Sequence, residues 1–167
     1  FVAAISFVGW GEVAQIVRID HEYFLAPQGP VTVNGAPVAR HLLAGGDEIA
    51  LGARTKIAFK LPTALSSTAM LELPSGLEVA RDVCKVLLLD QHLVFGPRGN
   101  AHISPSGLTE RVVLSLGDGG FRCRAQVPLV VGGTVRGRDA EIPVGVPVEA
   151  GPVTFTLTAL RIRSTPS

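Results

Sequence analysis

The chain repeats itself. Shifted by 98 residues, Ala3 falls on Ala101, Ile5 on Ile103, Ser6 on Ser104, Gly9 on Gly107 and Glu12 on Glu110. The same shift lays Asp20 on Asp118, Gln28 on Gln126, Pro30 on Pro128, Val33 on Val131 and Gly35 on Gly133. Chemical likeness fills gaps between these identities, with Tyr23 on Phe121, Ile16 on Leu114 and Val31 on Leu129. Further on the offset drifts, yet the glycine-flanked stretch 45–52 still resembles 145–151. A period of this size is that of a domain, not of a solenoid repeat.

The two copies are unequal. Met70 to Gly96 precede the matched part of the second copy, whereas Phe1 already aligns with Gly99. The first unit is therefore expected either to lack its opening strands or to take them from elsewhere. The boundary is expected between Pro62 and Thr68, dividing the chain into 1–65 and 66–167.

Nineteen Gly and twelve Pro punctuate the chain, at the roughly 8–12 residue spacing of short strands. The runs between them are apolar and β-branched: 1–8, 13–19, 23–25, 31–33, 57–61, 70–73, 86–89, 92–95, 112–116, 129–131 and 153–160. Ile57-Ala-Phe-Lys-Leu61 alternates with the period of two of a half-buried strand. Asn34-Gly35 is a tight hairpin signal, because both residues tolerate positive φ. No long window keeps a helical apolar stripe free of Gly and Pro. The expected fold class is all-β, as two β-sandwich units in tandem.

Composition excludes several classes. Apolar residues make up 47% and charged ones 17%, enough apolar surface to rule out intrinsic disorder. The fifteen Lys and Arg are scattered against fourteen Asp and Glu, and aromatics are 5%, so nucleic-acid binding has neither basic stripe nor stacking platform. No apolar run approaches the ~20 residues of a spanning helix, and no direct membrane insertion is expected. Phe1 to Val8 has no Met and no basic leader region; it reads as an interior strand, with the chain attached to further domains. Cys84 and Cys123 lack disulfide or zinc spacing and read as buried thiols of a cytoplasmic protein.

Two stretches of the first copy then become specific: Phe24-Leu-Ala-Pro-Gln-Gly-Pro-Val-Thr-Val-Asn-Gly-Ala-Pro-Val and Leu42-Leu-Ala-Gly-Gly-Asp-Glu-Ile-Ala-Leu-Gly. They resemble the C-terminal half of a forkhead-associated (FHA) domain: a Val-Asn-Gly turn, a Gly-Asp-x-Ile-x-Leu-Gly corner and a last strand ending in Phe. In the second copy Leu93-Val-Phe-Gly-Pro-Arg-Gly-Asn-Ala-His-Ile resembles the family's front half. The resemblance implies β-sandwiches with binding loops at one end, and assigns Asn34, Gly35, Gly46 and Asp47 to structural turns.

Members of this family read phosphothreonine peptides, but the phosphate-gripping positions depart from the pattern. Gly96 is followed by Pro97, so Arg98 comes one place late. The family's Ser-x-x-His falls on Trp10 to Val13 and on Leu108 to Arg111, and its peptide-gripping Asn falls on Gly29 and Val127. A doubly charged phosphate needs a bidentate Arg and several donors to replace its hydration. The remaining candidates for peptide or anion binding are Arg98, Asn100, His102 and Arg111 of the second copy. Trp10 either fills the vacated loop as core or anchors a partner.

Other constellations are weaker. The four His residues have no metal-ligand spacing, and Ser104 and Ser106 near His102 have no nucleophile elbow. Gly117-Asp-Gly-Gly120 reads as a hairpin turn, and Asp47-Glu48 as a turn cap. The chain is thus expected to be non-catalytic, without metal or cofactor. It is read as an interaction or scaffolding module for a protein or peptide partner, phosphorylated or not. The alternatives are a structural domain packing on an attached domain, and a divergent phosphopeptide reader using the second copy.

Overall fold

The computed structural model describes residues 2–7, 11–74 and 85–158. Among these it contains sixteen β-strands and no helix, and every ladder between strands is antiparallel. The chain divides into two compact units, Phe1–Asp90 and Gln91–Ser167.

In the first unit the strands are β1 (Val2–Phe7), β2 (Gly11–Ile19), β3 (Glu22–Pro27), β4 (Val31–Val33) and β5 (Ala36–Pro37). They continue as β6 (His41–Leu42), β7 (Glu48–Leu51), β8 (Thr55–Lys60), β9 (Ala69–Glu72) and β10 (Lys85–Leu88). One sheet has the order β1-β2-β3-β6 and the other β10-β9-β8-β7-β4-β5. Ile16, Tyr23 and Leu25 from the first sheet share one core with Val33, Ile49, Ile57, Phe59, Leu71 and Leu88 from the second. That makes a sandwich. Alternation drives it: in β8 Ile57 and Phe59 point inward while Lys56 stays exposed. Burying each such large apolar side chain contributes roughly 1.5–3 kcal/mol. Asn34 (φ 52°) and Gly35 (φ 83°) form the turn between β4 and β5, the primed geometry that matches strand twist.

The structural division falls at Asp90, not between residues 62 and 68. The strands at 69–72 and 85–88, read from the sequence as part of the lead of the second unit, add instead to the first. β9 pairs with β8 through Ala58↔Glu72, Phe59↔Leu71 and Lys60↔Met70, and β10 pairs with β9. The physical reason is cover. With β9 and β10 in place Phe59 is 0% exposed and Leu88 2%. The Tyr23 hydroxyl shares its proton between Ser67 O at 2.7 Å and Leu88 O at 3.1 Å. Arg18 is paired with Asp90, and Thr68 Oγ1 accepts from Asp90 N–H at 2.9 Å.

The second unit holds β11 (His92–Phe95), β12 (Val112–Gly117), β13 (Gly120–Val131), β14 (Thr134–Glu141), β15 (Pro147–Ala150) and β16 (Val153–Thr156). Its order is β11-β12-β13-β15-β16, with β14 also along β13. The twelve-residue β13 pairs with β12 over Gly120–Ala125 and with β15 over Leu129–Val131. It thereby does the work of β3 and β4 together. The registers recur at the sequence period: Ile16↔Leu25 returns as Leu114↔Cys123, and Ala14↔Pro27 as Val112↔Ala125. Gly132 and Gly133 (φ 57° and 81°) take the place of Asn34 and Gly35.

The correspondence does not extend to the start of each copy. Beside β2 lies β1, with Ile5 opposite Ala14, whereas beside β12 lies β11, with Phe95 opposite Val112. The sequence match of 3–12 with 101–110 is therefore not a match of position. Residues 101–110 belong to a loop that β1 and β2 have no room for, since only 8–10 separate them.

Candidate functional site

The loop between β11 and β12 carries all four residues singled out as peptide- or anion-binding candidates. It folds back on β11: Gly96 N–H donates to Ile103 O at 3.0 Å, and His102 N–H to Val94 O at 2.9 Å. His102 is only 3% exposed, and its Nδ1 accepts from Val94 N–H at 2.9 Å. It caps a backbone donor that a strand partner would otherwise take, so this histidine is corrected from ligand candidate to structural clamp. Arg98, Asn100 and Arg111 are exposed on the same loop. The Arg111 stem and Ala101 lie over Gly96, where an added Cβ would sit 3.5 Å from Arg111 Cγ and from Ala101 Cβ, an ordinary van der Waals contact. Trp10 and Cys84 lie outside the described residues.

In the first unit Asn34 and Asp47 build a corner. Asp47 is 8% exposed; it accepts from Asn34 Nδ2 at 2.8 Å and Ala44 N–H at 2.9 Å, and its Oδ2 lies 3.0 Å from His41 Nε2. Asn34 Oδ1 in turn accepts from Glu48 N–H at 2.9 Å. Gly46 reaches φ 98° beside them, a left-handed conformation that side chains resist. Burial pushes the Asp47 carboxyl up, but the bonds from Ala44, Asn34 and His41 outweigh it and hold it below its ordinary value. Both carboxylate oxygens of Asp47 and both polar atoms of the Asn34 amide thus bond within the fold.

A third constellation lies on β13 and β14, and sequence reasoning missed it. Arg122 Nε donates to Asp139 Oδ1 at 2.5 Å, and Arg124 Nε and Nη2 donate to Asp139 Oδ2 at 3.1 and 3.0 Å. Hydrogen bonds from Arg124 first, then Arg122, hold the Asp139 carboxyl below its ordinary value. Arg136 joins Arg122, Asp139 and Glu141 around a depression that Val131 and Pro143 complete. Arg138 is also exposed, as are Val135 (66%) and Val127 (37%). The signal was present as the Arg-x-Arg pair at 122/124, but only the register, Arg122↔Glu141 and Arg124↔Asp139, sets it against the carboxylates.

The Cys123 thiol is buried, and burial with the nearby Asp139 charge pushes it up to about 11, far from the thiolate a nucleophile needs. Among the described residues no three His, Cys, Asp or Glu side chains gather where a metal could sit, and no helix is long and apolar enough to cross a membrane. No protein-family model, curated protein or solved structure matches the chain. The molecule is, on its own geometry, an all-β protein.

Proposed function

We propose that this chain is a non-catalytic protein-interaction module, built as tandem FHA-like units, whose second unit binds an acidic segment of a protein partner. The observation that carries the reading is the β13–β14 surface. Arg122 and Arg124 meet Asp139 and Glu141 there, Arg136 joins them at one depression, and Arg138, Val127 and Val135 are exposed on the same two strands. Arginine beside apolar surface is the composition of recognition surfaces, and guanidinium forks suit carboxylates and phosphates. Asp139 pre-orders Arg122 and Arg124, which lowers the entropy lost on binding. The recurring registers support the tandem reading, and the Asn34–Asp47 corner fits the structural role the family resemblance implies.

A second reading places phosphopeptide recognition on the β11–β12 loop, favoured by Arg98 and Arg111 sharing that exposed segment. Titrating labelled poly-acidic and phosphothreonine peptides into the full chain separates the two. Binding of the acidic peptide should weaken at least tenfold in Arg136→Glu/Arg138→Glu, weaken with added salt, and persist in Arg98→Ala/Arg111→Ala. Binding confined to phosphothreonine and lost with Arg98 and Arg111 would replace the first reading by the second. No binding of either peptide would refute both.

A further inference from the structure

β16 stands to β15 as β8 stands to β7. The pairs Ile49↔Ile57 and Leu51↔Thr55 return as Val148↔Phe155 and Ala150↔Val153. On its other side β8 carries β9, whereas among the described residues the sheet of the second unit ends at β16. The difference shows in burial. Ile57 is 2% exposed and Phe59 0%, while Phe155 and Leu157, their counterparts by register, are only half-buried. Tyr23, which grips the added strands in the first unit, is matched 98 residues on by Phe121, and Arg18 by Leu116, which is 45% exposed.

The backbone of this edge is also set out for pairing. Pro147 has no N–H, and its carbonyl accepts from Gly132 N–H at 2.9 Å, away from β16. Thr156 sits opposite Pro147, so the N–H and C=O of Thr156 point outward, as do those of Thr154 two residues earlier. Edges are usually blunted by Lys, Pro or a bulge. β5 ends in Pro37 and β10 begins with Lys85. β16 presents Thr154 and Thr156, which are strand formers without charge.

We infer that β16 is a receptor edge for one added antiparallel strand. Its occupant is an extended apolar segment of a protein partner with the character of Ala69-Met-Leu-Glu72, the sequence the first unit uses on the equivalent edge. This is strand addition, and it does not depend on the arginine surface of β13–β14. A peptide of residues 66–74 is the probe, titrated into the full chain with amide exchange read residue by residue.

The Thr154 and Thr156 amides exchange readily in the free chain and become protected on peptide addition. Thr156→Pro removes the outward donor without touching the β15 ladder, and binding falls at least tenfold. Thr156→Val, which keeps the donor, binds within twofold of the parent. Arg136→Glu/Arg138→Glu leaves peptide binding unchanged, which separates this inference from the acidic-partner reading. It is overturned if the Thr154 and Thr156 amides are already protected without peptide. Absent peptide binding, or binding insensitive to Thr156→Pro, overturns it equally.

Discussion

Tyr23→Phe tests why residues 66–90 belong to the first unit. The substitution keeps the ring, and with it the edge-on contact to Phe59 at 5.6 Å between centroids. It removes only the hydroxyl that serves Ser67 O and Leu88 O. A net hydrogen bond contributes about 1 kcal/mol, and a buried acceptor left without its donor costs about 1–3 kcal/mol. Because Tyr23 and Leu88 are each 2% exposed, water cannot replace the donor cheaply, and the expected loss is roughly 1–3 kcal/mol. At about 4–8 °C per kcal/mol for a unit of this size, thermal unfolding of the first unit shifts visibly.

The assay is amide exchange at Lys85–Leu88 alongside thermal unfolding, with the second unit as internal reference. Protection should fall on β10 and leave β12–β13 unchanged. A pH readout accompanies it. Burial pushes the Tyr23 phenol above its ordinary value of 10.0, so the folded state holds that proton more tightly than the unfolded chain. The resulting stability is complete below pH 10 and is lost as pH rises through the folded value. The chain has one tyrosine, so tyrosinate absorbance follows this group alone, and Tyr23→Phe removes its share of the alkaline loss. Unchanged exchange at Lys85–Leu88 in the variant would refute the reasoning, as would tyrosinate formation at an unshifted pH.

Two further outcomes follow from the sites described. Asp47→Asn should cost roughly 1.5–3 kcal/mol, the range for hydrogen bonds to a charged group, measured by urea unfolding at neutral pH. Because the folded Asp47 lies below 3.8, its contribution is present above that value and lost as pH falls through the folded one, so Asp47→Asn flattens the acid limb of stability. In a Cys84→Ser background the Cys123 thiol, buried and raised to about 11, should react with a thiol reagent only as fast as the second unit opens. Rapid native labelling would show that the site is exposed after all.

How much of this was legible in advance differs from feature to feature. Alternation in Ile57–Leu61 identifies a half-buried strand, and Asn34-Gly35 identifies a primed turn, because both signals are local: one is side-chain parity, the other tolerance of positive φ. The period of 98 residues is equally local to the text of the chain, and it anticipates that Leu114 meets Cys123 as Ile16 meets Leu25. His102 was misjudged because a histidine in a Pro- and Gly-flanked loop looks exposed. Nothing in its neighbours in sequence reveals that Nδ1 caps Val94, eight residues back.

The repeat with which the sequence begins therefore determined the class of structure and the internal registers of each unit. It could not determine which unit the strands at 69–72 and 85–88 complete. Their apolar pattern says only that they need an edge, and two edges of the same kind exist, at β8 and at β16. Tertiary structure decided for β8. There the Tyr23 hydroxyl, the Arg18–Asp90 pair and the covering of Phe59 reward the added strands together, and the second unit has Phe121 and Leu116 in the places of Tyr23 and Arg18. Arg122 and Arg124 met Asp139 for the same reason: strand parity places a side chain on a face, but only pairing chooses its neighbour.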